Sequence, residues 1–300
     1  MKKEAIQVDI QIPFCTGHCV YCGKQSLGEN VGYLQRYRTA LERELTASSE
    51  ELAAYQIRSV HIGCDSLSLL GLGALDDFLY SVEKNIPTDP ETEWIVDLQP
   101  QELTEEMLYV LCHRHSVNAV RLELMALDQK DLLALHVPFT ANLADYALSF
   151  LETHQGDKRP FLLSISLGIG LPGQTGQRFA EVLTRILSIK PDQILLKRYR
   201  NRRLSTEEQV QLAEETDWGL FIRTAEQNLV PEGFARTENS LVFARPGRLL
   251  CTDDPKMIQA NQYGFGLNAK TRLEGLTYTN TGDYSFYIQN SDDPQKLAQL

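Results

Sequence analysis

The sequence lacks the features that direct a protein to a membrane or to nucleic acid. It has no apolar run long enough to cross a bilayer. Its N-terminal stretch "MKKEAIQVDIQIP" starts basic but then alternates apolar and polar residues, so it does not form the apolar block of a signal peptide. The formal net charge of -11 disfavours nucleic acid and anionic membranes as main partners. We therefore expect a cytoplasmic protein with no membrane span and no nucleic-acid partner.

Cysteine is scarce, and half of it is concentrated in one place. Three of the 6 cysteines, Cys15, Cys19 and Cys22, follow a C-x3-C-x2-C spacing within "IPFCTGHCVYCGKQ". The others are scattered along the chain. Because the cytoplasm is reducing, clustered cysteines there indicate metal ligands or redox groups and not disulfides.

Segments with strand and helix patterns alternate up to about residue 228. The predicted strands are 5–12, 57–63, 93–100, 118–125, 160–168 and 192–199. The predicted helices lie near 33–55, 72–85, 103–115, 128–136, 141–154, 176–188 and 205–228. This alternation predicts a parallel α/β sheet with right-handed crossovers, with too few strands for a closed eight-stranded barrel but enough for a partial one. The cysteines follow the first strand, at the carboxyl end of the sheet, where such folds place their active sites.

The pattern changes near residue 229. Residues 229–300 are rich in Gly, Asn and Tyr and contain short strand-like pieces. We interpret them as a C-terminal α+β appendage that packs on the barrel of residues 1–228 and closes one side of its sheet.

The spacing of the cysteines leaves open which group they bind. Three thiolates from one loop can bind three irons of a four-iron cubane and leave the fourth iron open. Structural zinc takes four ligands, and His18, which could be the fourth, lies inside the C-x3-C interval, where it would need a strained loop. The spacing favours an iron–sulfur cluster over zinc, and either over a loop that binds neither.

Further motifs resemble one known family. Tyr21, just before the third cysteine, is typical of the radical S-adenosylmethionine (SAM) superfamily. Within it, the chain resembles the oxygen-independent coproporphyrinogen III dehydrogenase family and its heme-chaperone relatives. The matching segments, in order, are "IPFCTGHCVYCG", "HIGCDSLSLL" (61–70), "VDLQP" (96–100), "VNAVRLELMALDQKDLLALH" (117–136), "GIGLPGQT" (168–175) and "GFGLNAKTRLEGLTYTN" (264–280). The resemblance covers most of residues 6–290.

The resemblance implies a partial (β/α)6 barrel of the radical SAM type. It implies a [4Fe-4S] cluster on Cys15, Cys19 and Cys22, with SAM on the open iron. It assigns to the SAM site Tyr21, Gly63, Cys64, Asp65, Ser66, Asp97 and Ser166. The chain resembles a divergent, shortened member, because relatives continue into a further C-terminal domain that we expect it to lack.

The sequence departs from the family pattern at the SAM site. Two glycines of the family are replaced by Cys64 and Asp65, and a side chain there obstructs the approach of backbone to the methionine group. The family's glutamate and its aspartate after strand five are Asp97 and Ser166. Its tyrosine, glutamine, arginine and isoleucine are replaced by Asp9, Met125, Val137 and Lys270. Either SAM binds in a remodelled pocket, with Asp65 and Asp97 meeting its ammonium group, or the protein kept the cluster and lost SAM cleavage.

A basic run, "KRYRNRR" (197–203), leaves the sheet at its carboxyl end. Arg198, Arg200 and Arg202 could bind substrate carboxylates bidentately. A solvated surface run is the alternative, and it is the more common outcome for like charges.

These observations predict an oxidoreductase of the radical SAM type with a degenerate SAM site. Its cofactors would be a [4Fe-4S] cluster and SAM. Reductive cleavage of SAM would start hydrogen abstraction from a small organic substrate, for which the resemblance suggests a tetrapyrrole. The expected protein partner is a reductant such as a flavodoxin or ferredoxin. The alternative is a cluster-bearing binding or chaperone-like protein without SAM cleavage.

Overall fold

A computed structural model describes residues 3–22, 26–64, 66–155, 159–238, 241–258 and 261–299. Over these residues, one sheet of twelve strands runs in the order β12-β11-β10-β9-β1-β2-β3-β4-β5-β6-β8-β7. The strands are β1 Ala5–Ile12, β2 Gln56–Cys64, β3 Glu93–Leu98, β4 Ala119–Met125, β5 Leu162–Ile169, β6 Gln193–Arg198, β7 Ala235–Arg236, β8 Val242–Ala244, β9 Asn261–Phe265, β10 Lys270–Leu273, β11 Leu276–Asn280 and β12 Ala298–Gln299.

Helices connect the central strands. They are α1 Val31–Leu52, α2 Leu72–Asn85, α3 Glu105–Leu108, α4 Gln129–Leu135, α5 Ala141–Thr153, α6 Gly176–Leu187, α7 Thr206–Glu215, α8 Trp218–Leu229, α9 Pro255–Ile258, α10 Tyr284–Asn290 and α11 Pro294–Leu297. None of the described helices is long and apolar enough to cross a bilayer.

Strands β1 to β6 are parallel and adjacent in chain order, as the alternating pattern predicts. Each predicted strand agrees with an observed one to within two residues at either end. The register places Asp9 beside His61 and Asp97 beside Arg121 on neighbouring strands. The predicted α/β fold around a mostly parallel sheet is confirmed.

Two predicted helices differ from the structure. The segment predicted as one helix over 205–228 forms α7 and α8, because Asp217 caps a new helix by accepting a hydrogen bond from the Leu220 amide at 3.0 Å. The segment 103–115 forms only the short α3 and then a π-helical turn, Tyr109–Arg114. Both differences concern hydrogen bonds at a helix end, which hydrophobic spacing does not reveal.

The chain after residue 229 extends both edges of the sheet, whereas the sequence predicted that it closes one side. Strand β8 pairs antiparallel with β6, and β9 pairs parallel with β1. The division into domains at residue 229 stays a prediction.

Buried hydrogen bonds attach the C-terminal strands to α1. The Glu44 carboxylate on α1 accepts hydrogen bonds from the Tyr287 hydroxyl (2.6 Å), the Asn280 side-chain amide (2.7 Å) and the Gly266 backbone amide (3.0 Å). Burial raises the pKa of Glu44 to about 7, although these three hydrogen bonds act to lower it. The C-terminal segment is therefore held on the outer face of the first βα unit by specific polar contacts.

A loop closes the inside of the sheet at the amino ends of the strands. This floor loop, residues 250–253, buries Leu250 against Ile95 and Ala119. Its backbone amides at Leu250 and Cys251 donate to side chains on β6 and β3, Gln193 (2.9 Å) and Glu93 (2.7 Å). The floor loop thus closes the interior at the amino ends of the strands, and the clustered cysteines lie at the carboxyl ends.

Candidate metal-cluster site

The three clustered cysteines line one cavity of about 710 Å³ inside the curled sheet. Strands from both halves of the sheet contribute to its wall, so the sheet wraps around the cavity. The lining residues are Gln7, Val8, Asp9, Gln11, Cys15, Gly17, His18, Cys19, Tyr21, Cys22, Ser26, His61, Asp97, Leu98, Gln99, Arg121, Glu123, Leu195, Lys197, Thr252, Gln262 and Arg272.

The cysteine loop is shaped by hydrogen bonds to its own backbone and to neighbouring elements. The Gly17 amide donates to Cys15 Sγ at 3.2 Å, and the Gln99 side-chain amide lies 3.9 Å from the same sulfur. The Cys22 amide donates to the Cys19 carbonyl at 3.2 Å, which closes a turn between these two cysteines. N–H groups that point at a cysteine sulfur stabilise its thiolate form and, in clusters, tune the potential.

Ser66 anchors the loop from outside. Its Oγ accepts a hydrogen bond from the Thr16 amide at 3.1 Å and lies 3.3 Å from the Thr16 hydroxyl. Because Ser66 is buried and follows β2, this contact fixes the loop to the second strand of the sheet. The hydroxyl that the family resemblance assigns to SAM therefore contacts the cysteine loop.

Across the described residues, no group of three or more His, Cys, Asp or Glu side chains is placed to bind one metal ion. The choice between an iron–sulfur cluster and zinc therefore rests on the spacing of the three cysteines in the sequence.

Tyr21 lies among these thiols. Burial raises the pKa of its phenol, and Cys19, which also forms a hydrogen bond with it, raises it further. The phenol therefore stays neutral at physiological pH. Cys112, by contrast, lies outside the cavity lining, and burial raises the pKa of its thiol to about 12, as expected for a residue packed against the core.

Buried ion pairs cross the interior beneath the cysteines. The His61 imidazole has Nδ1 2.9 Å from Asp9 Oδ1 and Nε2 3.1 Å from Asp97 Oδ1. Burial alone would lower the pKa of His61, but the charge of Asp97, with the hydrogen bonds and charge of Asp9, raises it to about 9. His61 is therefore a cation between two carboxylates at neutral pH.

The network continues to the floor loop through Arg121. Its guanidinium lies 3.5 Å from Asp97 and donates to Asp253 (2.6 Å) and Thr252 (2.8 Å). The Gln193 side-chain amide also donates to Asp253, at 2.7 Å. The sequence alone did not predict these residues. Only the alternation along β4 and β6 could have indicated that Arg121 and Gln193 face the interior.

A second ion pair lies further along β4, between β4 and β6. The Lys197 ammonium donates to both carboxylate oxygens of Glu123 at 2.6 Å, and the Ser166 hydroxyl donates to one of them at 3.1 Å. Lys197 thus belongs to the cavity, although it begins the basic run.

The residues assigned to the SAM site are only partly brought together. Tyr21 and Asp97 line the cavity, whereas Ser66 contacts the cysteine loop and Ser166 contacts Glu123. Gly63 is the last residue but one of β2, where an added Cβ would lie 3.4 Å from side-chain atoms of Gln11 and His61. Asp65 and the side chain of Cys64 lie outside the described residues.

Three of the replaced family positions lie away from the cavity lining. Met125 is buried at a left-handed backbone position (φ 57°), and its Cε would lie 3.1 Å from a Cβ on Gly168. Val137 packs against the hydrophobic core, and Lys270 is exposed on β10. Asp9, in contrast, lines the cavity and is bonded to His61.

The basic run turns away from the cavity after Lys197. Among the described residues that line the main cavity, none is Arg198, Arg200 or Arg202. Arg198 and Arg200 line a separate cavity of about 280 Å³, where the Arg198 guanidinium carbon lies 5.5 Å from the centre of the Trp218 ring. Binding of substrate carboxylates by these arginines stays a prediction.

The donor set fits a [4Fe-4S] cluster, since three thiols and N–H donors to one of them face a common cavity. SAM has room in a cavity of this volume, which is within the usual range for ligands of its size. Of the predicted polar contacts to SAM, however, Asp97 and Ser166 are already bonded to neighbouring side chains.

Comparison with solved structures confirms the α/β fold around a mostly parallel sheet. Coproporphyrinogen III oxidase (HemN) from Escherichia coli, described as a radical SAM enzyme, superposes with a TM-score of 0.77 at 17% sequence identity, over 99% of this chain and 71% of that one. No family model matches the chain.

Curated relatives agree with the motif resemblance. Oxygen-independent coproporphyrinogen III oxidase from Pseudomonas aeruginosa is 23% identical over 303 residues, which is 95% of this chain and 63% of the relative. The heme chaperone HemW from Lactococcus lactis is 21% identical over 96% of this chain and 75% of its own length. The chain thus resembles the radical SAM family of HemN and HemW and spans less than two thirds of the Pseudomonas relative.

Proposed function

We propose that the protein is a radical SAM [4Fe-4S] protein that reductively cleaves SAM to start hydrogen abstraction from an organic substrate. The observation that carries this proposal is the opening of Cys15, Cys19 and Cys22 onto one cavity at the carboxyl ends of six parallel strands. Such a position is where parallel α/β folds place their catalytic groups.

Each part of the cavity has a distinct task in this proposal. The three cysteines hold the cluster, which when bound supplies the low-potential electron for SAM cleavage. Gly17 and Gln99 donate toward the Cys15 sulfur and would favour its thiolate form. The floor loop and the paired charges on His61 close the lower end of the cavity, so a ligand would enter from the end at which the cysteines lie.

The paired charges set what kind of ligand the cavity accepts. The positive charges of His61, Arg121 and Lys197 are each paired with a carboxylate on a neighbouring element. A ligand that carries both positive and negative groups can form ion pairs and hydrogen bonds with these wall residues. An apolar ligand cannot, and it would leave buried polar groups without hydrogen bonds at a larger cost in free energy. The names of the relatives make a tetrapyrrole carboxylate the first substrate to test.

A second candidate function is a cluster-bearing binding or chaperone-like protein without SAM cleavage. Asp97 forms an ion pair with His61, and Ser166 forms a hydrogen bond with Glu123. These contacts favour the second candidate, because a SAM molecule would have to compete with them. HemW, a relative by sequence, is named a heme chaperone.

One experiment separates the two candidates. The protein is reconstituted anaerobically, reduced with dithionite and incubated with SAM, and 5′-deoxyadenosine is quantified over time. The proposal predicts its formation by the parent and by the Cys112→Ala control, whose thiol lies outside the cavity, but not by Cys15→Ala. A loaded cluster with no 5′-deoxyadenosine would favour the binding protein instead.

A further inference from the structure

The basic run presents four arginines to solvent beside the cysteine loop. Lys197 turns inward to Glu123, whereas Arg198, Arg200, Arg202 and Arg203 are exposed. We call these four side chains the arginine face.

Hydrogen bonds hold the arginine face against the loop that carries the cysteines. The Arg202 backbone amide donates to the Val20 carbonyl at 2.7 Å, and the Arg203 guanidinium donates to the His18 carbonyl at 3.1 Å. His18 and Val20 flank Cys19 in the sequence, and the side chain of His18 is exposed. The arginine face therefore borders the part of the loop that carries Cys19.

The positive charge of the arginine face is not neutralised locally. In the part of the chain that the structure describes, no carboxylate forms an ion pair with any of these four arginines, whereas other exposed arginines such as Arg223 and Arg236 have one. The chain as a whole carries a formal charge of -11. A compact cationic surface on an acidic protein favours association with an acidic partner in that one orientation.

We propose that the arginine face is the docking site of an acidic one-electron carrier protein of the flavodoxin type, which reduces the cluster. This proposal rests on the proposed function, because it requires a cluster on the cysteine loop. The docked carrier gives up one electron and is oxidised by one electron, and the oxidised cluster accepts it. No bond is formed or broken in this step.

The position of the arginine face favours a protein partner over a small substrate. Its side chains are not among the described residues that line the main cavity, so a ligand held wholly inside that cavity would not contact them. A carrier protein needs only to come close to the cluster and does not need to enter. Exposed arginines that form no ion pair with a described carboxylate of their own chain are suited to form ion pairs across such an interface.

The test measures binding of an oxidised bacterial flavodoxin to the anaerobic holoprotein by calorimetry at low and at high salt. The test variant is Arg200→Glu with Arg202→Glu, which leaves the Arg202 backbone hydrogen bond in place. The matched control is Arg58→Glu with Lys84→Glu, which makes the same charge change at the amino end of β2 and the carboxyl end of α2, away from the cysteine loop. Circular dichroism checks that both variants fold.

The proposal predicts that the test variant binds flavodoxin about tenfold more weakly than the parent at low salt, and that added salt reduces this difference. The control should bind as the parent does. Equal binding by test variant and parent would overturn the proposal, and so would loss of coproporphyrin III binding by the test variant with flavodoxin binding unchanged.

The cluster itself is tested separately. Cys15→Ala should bind flavodoxin like the parent, because the arginine face remains, but should accept no electron from reduced flavodoxin. If the parent proves to contain no cluster, the proposed function fails whatever the binding data show. If the cluster is present and its rate of reduction by flavodoxin is unaffected by the charge reversal, the docking proposal alone fails.

Discussion

Nε2 of His61 lies 3.1 Å from Oδ1 of Asp97 in the wall of the cavity that the three clustered cysteines also line. Asp9 holds the other ring nitrogen at 2.9 Å. The resemblance to radical SAM proteins assigns Asp97 to the cosubstrate and a tyrosine to the position of Asp9. The interior that should receive SAM is therefore already occupied in part by the chain's own ion pairs.

His61 should make the stability of the protein depend on pH. Its pKa is raised from 6.5 to about 9 in the folded state, which corresponds to on the order of 3 kcal/mol. This stabilisation is fully present below pH 6.5 and is lost as the pH rises through 9. Denaturant unfolding of the parent between pH 6.5 and 9 should show the loss.

The matched variant is His61→Gln, which keeps a polar side chain but does not titrate. Its free energy of unfolding should change less than that of the parent over the same pH range. Parallel pH profiles for the two proteins would show that His61 is not held as a cation by Asp9 and Asp97.

Removing one partner of the buried pair at the floor loop should destabilise the protein strongly. Asp253→Ala removes the contact at 2.6 Å and leaves Arg121 only the longer contact of 3.5 Å with Asp97. Removal of one partner of a buried ion pair costs about 3–5 kcal/mol. Chemical denaturation measures the change. The comparison variant is Lys296→Ala, which breaks an exposed ion pair with Asp293 and should have a much smaller effect. Similar effects of the two substitutions would contradict the buried network.

Gly266 lies where no side chain fits, and its replacement by alanine should be costly. An added Cβ would meet Tyr37 Oη and lie 2.5 Å from the Gln11 carbonyl oxygen, at the end of β1. Overpacking of this kind costs about 1–3 kcal/mol beyond the penalty of a positive φ. Gly275→Ala is the control, because Gly275 also has a positive φ (84°) but has no atom within 4 Å of an added Cβ. An equal drop in melting temperature for the two variants would count against this packing.

SAM should bind weakly. Met125 and Val137 stand where the family has a glutamine and an arginine, so an amide and a guanidinium that could bind SAM are missing. Two lost hydrogen bonds to charged groups cost roughly 3–6 kcal/mol of binding free energy. That corresponds to about a hundred- to ten-thousand-fold in affinity. We expect a dissociation constant of about 100 µM or weaker by calorimetry on the anaerobic holoprotein. Cys64→Gly with Asp65→Gly should tighten binding, whereas Cys112→Ala should not. Low-micromolar affinity in the parent would mean that SAM displaces the ion pairs of Asp97.

The fold was largely predictable because the sequence patterns that indicate its strands lie within short segments of the chain. Alternating and apolar runs located all of β1 to β6, and the spacing of Cys15, Cys19 and Cys22 located the site at their carboxyl ends. The break between α7 and α8 was not predictable from periodicity, since the two helices share one pattern and are separated by the cap at Asp217. The pairing of β9 with β1 joins segments about 250 residues apart, for which one sequence carries no signal.

The interior of the site was less predictable than its cysteines. Asp97 and Ser166 were expected to face SAM, but a sequence does not show that His61 and Glu123 stand within hydrogen-bond distance of them. Similarly, the basic run was correctly located at the carboxyl end of β6, yet its side chains divide between the cavity and the surface because successive residues of a strand point to opposite faces.

Iron and acid-labile sulfide analysis of anaerobically prepared protein tests whether Cys15, Cys19 and Cys22 hold a [4Fe-4S] cluster. We expect about four irons and four sulfides per chain, because three thiolates can hold a cubane with one open iron. Replacement of any of the three by alanine should abolish this content, and Cys112→Ala should preserve it. One zinc ion per chain without sulfide would contradict the account.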